Sequence, residues 1–398
     1  MRVFTFWKNA GSSSGTLHPH PNPLPSRERG LRWWIAGTGI VTLIASLTVS
    51  MAFATPTADW PSFRGNPEMT GVAGSTLPAK PRLLWTYEAG SDIESTAAIA
   101  EDMVFFGTKK GAVVALKLSD GKFRWKFRAK DSVTASPCVA GNAVYVGDES
   151  GALYALDRTT GRMLWKFLAK DKIISSATVV SDSVLFGSYD NHLYCVSAKT
   201  GKLKWKFEAE AQVHCSPCVA EGKVMIAGCD GYVRIIDLST GRELAKAGVD
   251  TNMAVAPAYG AGVLYVGSLT GDYLAVRLSD GKILWRRKLQ RDGGIYASAA
   301  VAGRAVVFAS RNGTIFRVDA ATGKVRWVFK AGGDSSPVIA GSTVYVGADD
   351  GNLYGLDIRN GRKLWQFKAG SEIKASPAIS RGRMVIGAGD GAVYCFGK

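Results

Sequence analysis

Residues 136–167 read SPCVAGNAVYVGDESGALYALDRTTGRMLWKF. Four short segments, PCVA, AVYVG, ALYALD and RMLWKF, are separated by AGN, DESG and RTTG. Gly, Asn and Asp tolerate the positive φ that a tight turn between antiparallel strands requires, and the segments between them are rich in β-branched and aromatic residues. The stretch therefore predicts four antiparallel strands, the last marked by Trp165.

The same unit recurs in both directions. Tryptophans stand at Trp85, Trp125, Trp165, Trp205, Trp285, Trp327 and Trp365, a spacing of 40 apart from one skipped position, Ala245, and a 42 followed by a 38. Hairpin turns keep the same period: Lys110-Gly111, Ser150-Gly151, Asp190-Asn191, Asp230-Gly231, Thr270-Gly271, Asn312-Gly313, Asp350-Gly351 and Asp390-Gly391. A second turn series follows the first seven of these by ten residues, from Asp120-Gly121 to Asn360-Gly361. Strands of about five to seven residues fit the gaps. A 40-residue, four-stranded unit is what a β-propeller blade needs, because each twisted blade buries its faces against two neighbours around a central channel. Parallel β-helices need shorter coils, and helical repeats need a 3.6-residue periodicity that is absent. Seven complete units run from Ile93 to Phe367, and three strands (ASPAIS, RMVIGA, GAVYCF) follow. The segment RLLWTYE, residues 82–88, carries the Trp motif without preceding strands and can supply the missing one. The fold expected is thus all-β: an eight-bladed propeller of four-stranded antiparallel blades over 81–398, its last blade closed by an N-terminal strand.

Composition agrees. The chain has 398 residues, 46% of them hydrophobic and 21% charged, a globular balance that argues against disorder and a polytopic membrane protein. Forty-six glycines, about 12% against a typical ~7%, fit the many turns. Six cysteines and four histidines leave little for a zinc cluster. Residues 1–30, with HPHPNPLP at 18–25, read as an unstructured leader. Arg27, Arg29 and Arg32 then precede an uncharged stretch, Trp33 to Ala54, ending in Ala52-Phe53-Ala54, an A-x-A pattern. Residues 31–54 therefore read as a signal peptide or, given 22 uncharged residues, a signal anchor, and 55–80 as an extended lead-in. Either way the expected location is the periplasm or cell envelope. Losing residues 1–54 lowers the net charge from +16 to +12, and outside the cytoplasm this charge is not expected to meet nucleic acid.

The blade GALYALDRTTGRMLWKF resembles the pyrroloquinoline quinone (PQQ) type of repeat, A-x-D-x-x-T-G-K/R-x-x-W, matched best at 155–165 and 355–365. The lead Asp59-Trp60-Pro61-Ser62-Phe63-Arg64-Gly65-Asn66 is similar to the W-P-x-F-R-G that precedes the first blade in many PQQ-like proteins of bacteria. WD40 repeats share the period but place Asp after Trp, where this chain has Thr86, Lys126, Lys166, Lys206, Arg286, Val328 and Gln366. The resemblance implies one of two roles. Quinoprotein dehydrogenases oxidise alcohols or sugars with PQQ and Ca²⁺, and carry a Cys-Cys pair and long insertions that this chain lacks. The BamB-like branch is a non-catalytic scaffold for outer-membrane protein assembly. Its lipoproteins carry a cysteine after the leader, and none follows Ala54 here. The favoured reading is the scaffold, binding an envelope protein or small ligand, as a monomeric propeller without a resident cofactor; the alternative is a PQQ-dependent dehydrogenase or PQQ binder.

The eight copies also allow an internal comparison. The seven Trp are expected to dock blade on blade, and the residues Ser136, Ser176, Ser216, Ser298, Ser336 and Ser376 are shared between copies and read as structural. Nine residues past each Trp position, allowing for a two-residue shift after Trp285 and after Trp327, the copies diverge: Glu94, Thr134, Ile174, His214, Ala254, Tyr296, Asp334 and Lys374. Two residues earlier stand Asp92, Ser132, Lys172, Gln212, Asn252, Gly294, Gly332 and Glu372. Both rows are expected to ring one mouth of the channel. The candidate ligand or partner site is therefore Asp92, Glu94, Lys172, Gln212, His214, Asn252, Tyr296, Asp334, Glu372 and Lys374, with no catalytic or metal-ligating set. Cys215 and Cys218 form C-x-x-C on a predicted strand, where residues three apart lie roughly 10 Å from each other, beyond the ~7 Å a disulfide spans; with Cys138 they read as small core residues. Asp157, Asp237, Asp319 and Asp357 read as turn initiators. A basic row on the outermost strands, including Arg124, Lys126, Lys166, Lys204, Lys206, Arg286, Arg287, Arg326 and Lys363, reads as protection of edge strands, or as contact with an anionic membrane surface.

Overall fold

The computed structural model describes residues 59–289, 293–311 and 313–398. The leader, the apolar stretch with Ala52-Phe53-Ala54, the first part of the lead-in and Asn312 lie outside the described residues. Among the described residues there are 32 strands and no helix.

The strands form eight four-stranded antiparallel sheets. Blade 1 comprises Ala98–Ala100, Met103–Gly107, Ala112–Lys117 and Phe123–Arg128, and blades 2 to 7 repeat it in chain order. Blade 8 is built from both ends of the chain: Ala378–Ser380, Arg383–Gly387 and Ala392–Gly397 are completed by Arg82–Glu88, which pairs antiparallel with Ala392–Gly397. The innermost strand of each blade has three residues, shorter than the sequence suggests, because the chain around the channel is held between blades rather than within them. The eight-bladed propeller closed by its N-terminal strand is thus the fold of this chain.

Two devices join blade to blade. Along the outer edge, Trp125 packs beneath the turn at Gly161 and its Nε1 donates to the Arg158 carbonyl of the next blade at 2.9 Å. Trp85, Trp165, Trp205, Trp285 and Trp327 donate in the same way to Leu118, Ala198, Leu238, Ala320 and Ile358. Trp365 instead meets Phe396 edge-on at 5.4 Å. Around the channel, the serine row forms a hydrogen-bond relay. The backbone N–H of Thr96 donates to the Ser136 hydroxyl, Ser136 to Ser176, and Ser176 to Ser216; Ala256 donates to Ser298, Ser298 to Ser336, and Ser336 to Ser376. Ser376 closes the circle on the Thr96 hydroxyl at 3.2 Å. The relay has one gap, between Ser216 and Ala256, because alanine offers no hydroxyl. Ala256→Ser is therefore expected to raise stability by about 0.5–1.5 kcal/mol, the net value of one added hydrogen bond; an unchanged or lower urea midpoint of the full chain would contradict this.

Every outer strand carries a bulge at the residue before the Trp position, Leu84 in the closing strand and Arg124 in blade 1 for example. Bulges twist an edge away from further pairing. Strict alternation would put Phe123, Trp125 and Phe127 on one side and Lys122, Arg124, Lys126 and Arg128 on the other, and the bulge breaks it: Trp125 is buried and Phe127 half-buried, but Phe123, on the far side of the bulge, is exposed. The basic residues of this row lie on exposed positions.

The lead-in is not a simple extended segment. Trp60 forms an antiparallel bridge with Ile99 of blade 1, and Val72 a parallel one with Ile339 of blade 7. Between them the chain folds into turns, and its carbonyls accept from Val139, Val219, Tyr259 and Val301, the inner strands of blades 2, 4, 5 and 6. Residues 60–73 thus take up inner-strand edges from inside the ring. Arg64 is fully buried here, donating through Nη2 to the carbonyls of Ala299 and Pro337. Burial without a carboxylate partner lowers its pKa to about 9.

Candidate functional site

The inner strands run from the varied rows toward their first hairpin turns, so those rows sit at one mouth of the channel. There they surround a cavity of about 430 Å³. All eight residues of the first row line it: Glu94, Thr134, Ile174, His214, Ala254, Tyr296, Asp334 and Lys374. From the second row Lys172 reaches in, whereas Asp92, Gln212, Asn252 and Glu372 stand exposed on the rim. Six of the ten candidate residues are therefore brought together, and Glu372 touches the group through a 2.8 Å ion pair with Lys374. The serine relay forms the lower wall, and Phe63 of the lead-in lines the cavity beside it.

Besides Cys215 and the relay residues, three contributors lie outside the two rows. Phe63 comes from the lead-in, and Glu149 and Arg311 come from the hairpin after the second strand. That hairpin position, Lys109, Glu149, Tyr189, Cys229, Leu269, Arg311, Asp349 and Gly389, varies as much as the others and shares their period. Its geometry is fixed by the backbone: the N–H of Lys109, Glu149, Tyr189, Leu269, Arg311, Asp349 and Gly389 donates to the carbonyl of the second-row residue in the same blade. Comparing this third row between copies reveals it from sequence alone.

The charges fall into two arcs. Through blades 6, 7, 8 and 1 they are paired: Arg311 grips Asp334 through two hydrogen bonds of 2.8 and 2.7 Å and stacks 3.5 Å over Tyr296. Lys374 reaches Glu372 and, at 3.6 Å, Glu94, which also holds Lys109 at 3.3 Å. On the rim beside them, burial and then the nearby Asp334 and Glu372 raise the pKa of Asp349. Blades 3 and 4 differ. Ile174 and His214 line the wall, and the Tyr189 hydroxyl is 3.1 Å from His214 Nδ1. Burial first, and the charge of Lys172 second, lower the pKa of His214, which keeps the ring neutral at pH 7.

The remaining sequence candidates have structural roles. Cys215 and Cys218 are buried free thiols. Cys215 accepts the Ala227 N–H at 3.3 Å, where Ser175 and Ser335 in other blades accept from Gly187 and Gly347. Burial pushes its thiol up to about 12. Asp157 and Asp237 each accept from two backbone N–H groups and the Thr hydroxyl of their own turns.

The family profile described as outer membrane protein assembly factor BamB matches residues 71–181, 169–289 and 229–398. The chain belongs to this PQQ-like, BamB-type family. Among solved structures, this BamB-type propeller is similar to BamB from Moraxella catarrhalis, with a TM-score of 0.70 at 18% identity over 80% of this chain and 100% of that one. It is also similar to quinohemoprotein alcohol dehydrogenase from Comamonas testosteroni, with a TM-score of 0.76 at 14% identity over 87% and 81% of the two chains. A computationally designed protein, Ika8, gives 0.69 at 19% identity over 79% and 98%. At such identities the likeness concerns the fold. No curated protein matches the sequence.

The dehydrogenase neighbour raises the question of PQQ, a planar tricarboxylate used with Ca²⁺. The donor set in the funnel does not suit it. Of the three lining cations, Arg311 and Lys374 are already neutralised by Asp334, Glu94 and Glu372, while Glu94, Glu149 and Asp334 present negative charge to the same space. Among the described residues no group of three or more His, Cys, Asp or Glu is placed to hold a metal ion.

Proposed function

We propose that the protein is a non-catalytic propeller scaffold of the cell envelope that holds a partner at its funnel, a role of the outer-membrane protein assembly type. Family membership supports the role, and the observation that carries the funnel as its site is the cavity itself. Every residue of the first varied row lines one cup, while the rows shared between blades are spent on the serine relay and the Trp contacts. Paired charges on preformed walls favour recognition over chemistry.

Photo-crosslinking tests this in cells. The full chain carrying benzoylphenylalanine at Thr134, inside the funnel, is expected to form a defined adduct with an envelope protein, identifiable by mass spectrometry. The same group at Met163, on the outer edge, is expected to give none. Adducts confined to Met163 would overturn the funnel as the binding face. A stoichiometric chromophore with alcohol-dependent dye reduction, after PQQ and Ca²⁺ are added to the purified protein, would overturn the non-catalytic reading.

A further inference from the structure

Among its lining cations the funnel holds one, Lys172, without an acid partner. Among the described residues Lys172 Nζ has no carboxylate within ion-pair distance, and its one contact is with the face of Tyr189, 4.4 Å from the ring centroid. Both other lining cations are matched by acids, as described above. An ammonium held in a cavity over an aromatic ring keeps the capacity for a strong charge-assisted hydrogen bond. Ile174 and Ala254 line the cavity with it and Phe63 lines it from the lead-in, while the carboxylates whose charge reaches Tyr189, Glu149 and Asp171, stay beyond ion-pair distance of Nζ. In the tautomer in which the Tyr189 hydroxyl donates to Nδ1, the neutral His214 ring carries its hydrogen on Nε2 and offers a second donor.

We propose that the wall formed by Lys172, Ile174 and His214, beside Phe63, is a subsite for a single carboxylate attached to an apolar or aromatic body. One unpaired cation matches one negative charge. A polyanion would set its further charges against Glu94, Glu149 and Asp334, whose partners are already engaged or which have no cation to share. The carboxylate belongs either to a small aromatic acid or to the C-terminal residue of a polypeptide, and the chemistry recognised is the same. The inference rests on the funnel being the binding face.

Calorimetric titration of the full chain separates the cases. The probes are phenylacetate, phenylacetamide, benzene-1,3,5-tricarboxylate, and the acetylated tripeptide Gly-Gly-Phe with a free or an amidated C-terminus. Phenylacetate or the free-acid peptide is expected to bind one-to-one, at least tenfold more tightly than its amide and than the tricarboxylate. Lys172→Gln is expected to weaken that binding at least tenfold, Lys172→Arg to keep it, and Lys170→Gln, an exposed control outside the cavity, to leave it unchanged. Tighter binding of the peptide assigns a chain terminus as the source; tighter binding of phenylacetate assigns a small acid. Equal binding of acid and amide, no saturable binding of either acid, or a folded Lys172→Gln protein that binds normally overturns the proposal. If the acids fail while the Thr134 adduct still forms, the charge assignment is wrong and the funnel reading stands; loss of both removes the funnel.

Discussion

Trp125→Ala is expected to lower the unfolding free energy by about 3–5 kcal/mol, the range for removing a large buried aromatic side chain. Trp125 is 6% exposed and lies against Phe105, with ring centroids 5.7 Å apart. Its Nε1 satisfies the Arg158 carbonyl, and the turn of blade 2 covers its face so closely that a Cβ on Gly161 would stand 2.6 Å from the ring. Gly161 also has φ +72°, so its backbone cannot easily change to fill the space. The substitution removes packing, leaves a void and orphans a carbonyl at once. Blade 4 shows how the chain manages without this residue: Ala245 stands at the Trp position, and a Cβ on Gly281 would lie 3.4 Å from that of Ala245, so the turns have closed on the smaller side chain. Such a closure is shaped by the whole local sequence, and one substitution in blade 1 does not reproduce it. Urea denaturation of the full chain measures the effect; a loss below about 1 kcal/mol would mean that the Trp contact is not what joins the blades.

The repeat was legible because a propeller writes each structural requirement eight times. A Trp, a turn glycine or a channel serine recurs wherever the same contact recurs, and the first varied row stands at the mouth because its neighbours in sequence are fixed. What occurs once was not legible. Arg64 bonds to carbonyls 235 and 273 residues away, and nothing periodic in Trp60 to Ala73 announces that this segment enters the channel and brings Phe63 to the cavity. Strict alternation from Phe123 to Arg128 misses the bulge at Arg124, because one extra backbone residue reverses the facing of Phe123 without altering composition. Sequence placed acids and bases on the funnel rows, yet which of them neutralise each other, and that Lys172 is left over, depends on side-chain reach across neighbouring blades.

Gly387→Ala is expected to cost about 1–3 kcal/mol, the penalty for forcing a methyl group into a packed core. The second strand of most blades ends in a glycine that receives a β-branched side chain from the next blade: Gly107 receives Val133, Gly147 Ile173, Gly187 Val213, Gly267 Ile295 and Gly347 Ile373. Gly387 of blade 8 receives Ile93 of blade 1, and a Cβ there would lie 2.3 Å from Ile93 Cγ2 and 2.8 Å from its Cβ. Its φ is not in the left-handed region, so the cost is steric. Two blades have alanine in place of the glycine, and both have altered the partner position: Ala227 is followed in the next blade by Met253, and Ala309 by Gly333. Neither partner is branched at Cβ, which is where the clash would fall. Ile93→Met is therefore expected to recover most of the loss when combined with Gly387→Ala, giving a coupling of at least about 1 kcal/mol in a double-mutant cycle. Ile93→Val, still branched, is expected to recover little. Because residues 93 and 387 belong to the first and last blades, the coupling exists only if the ring is closed in solution. Additive effects in the cycle would show that blades 8 and 1 do not pack as described.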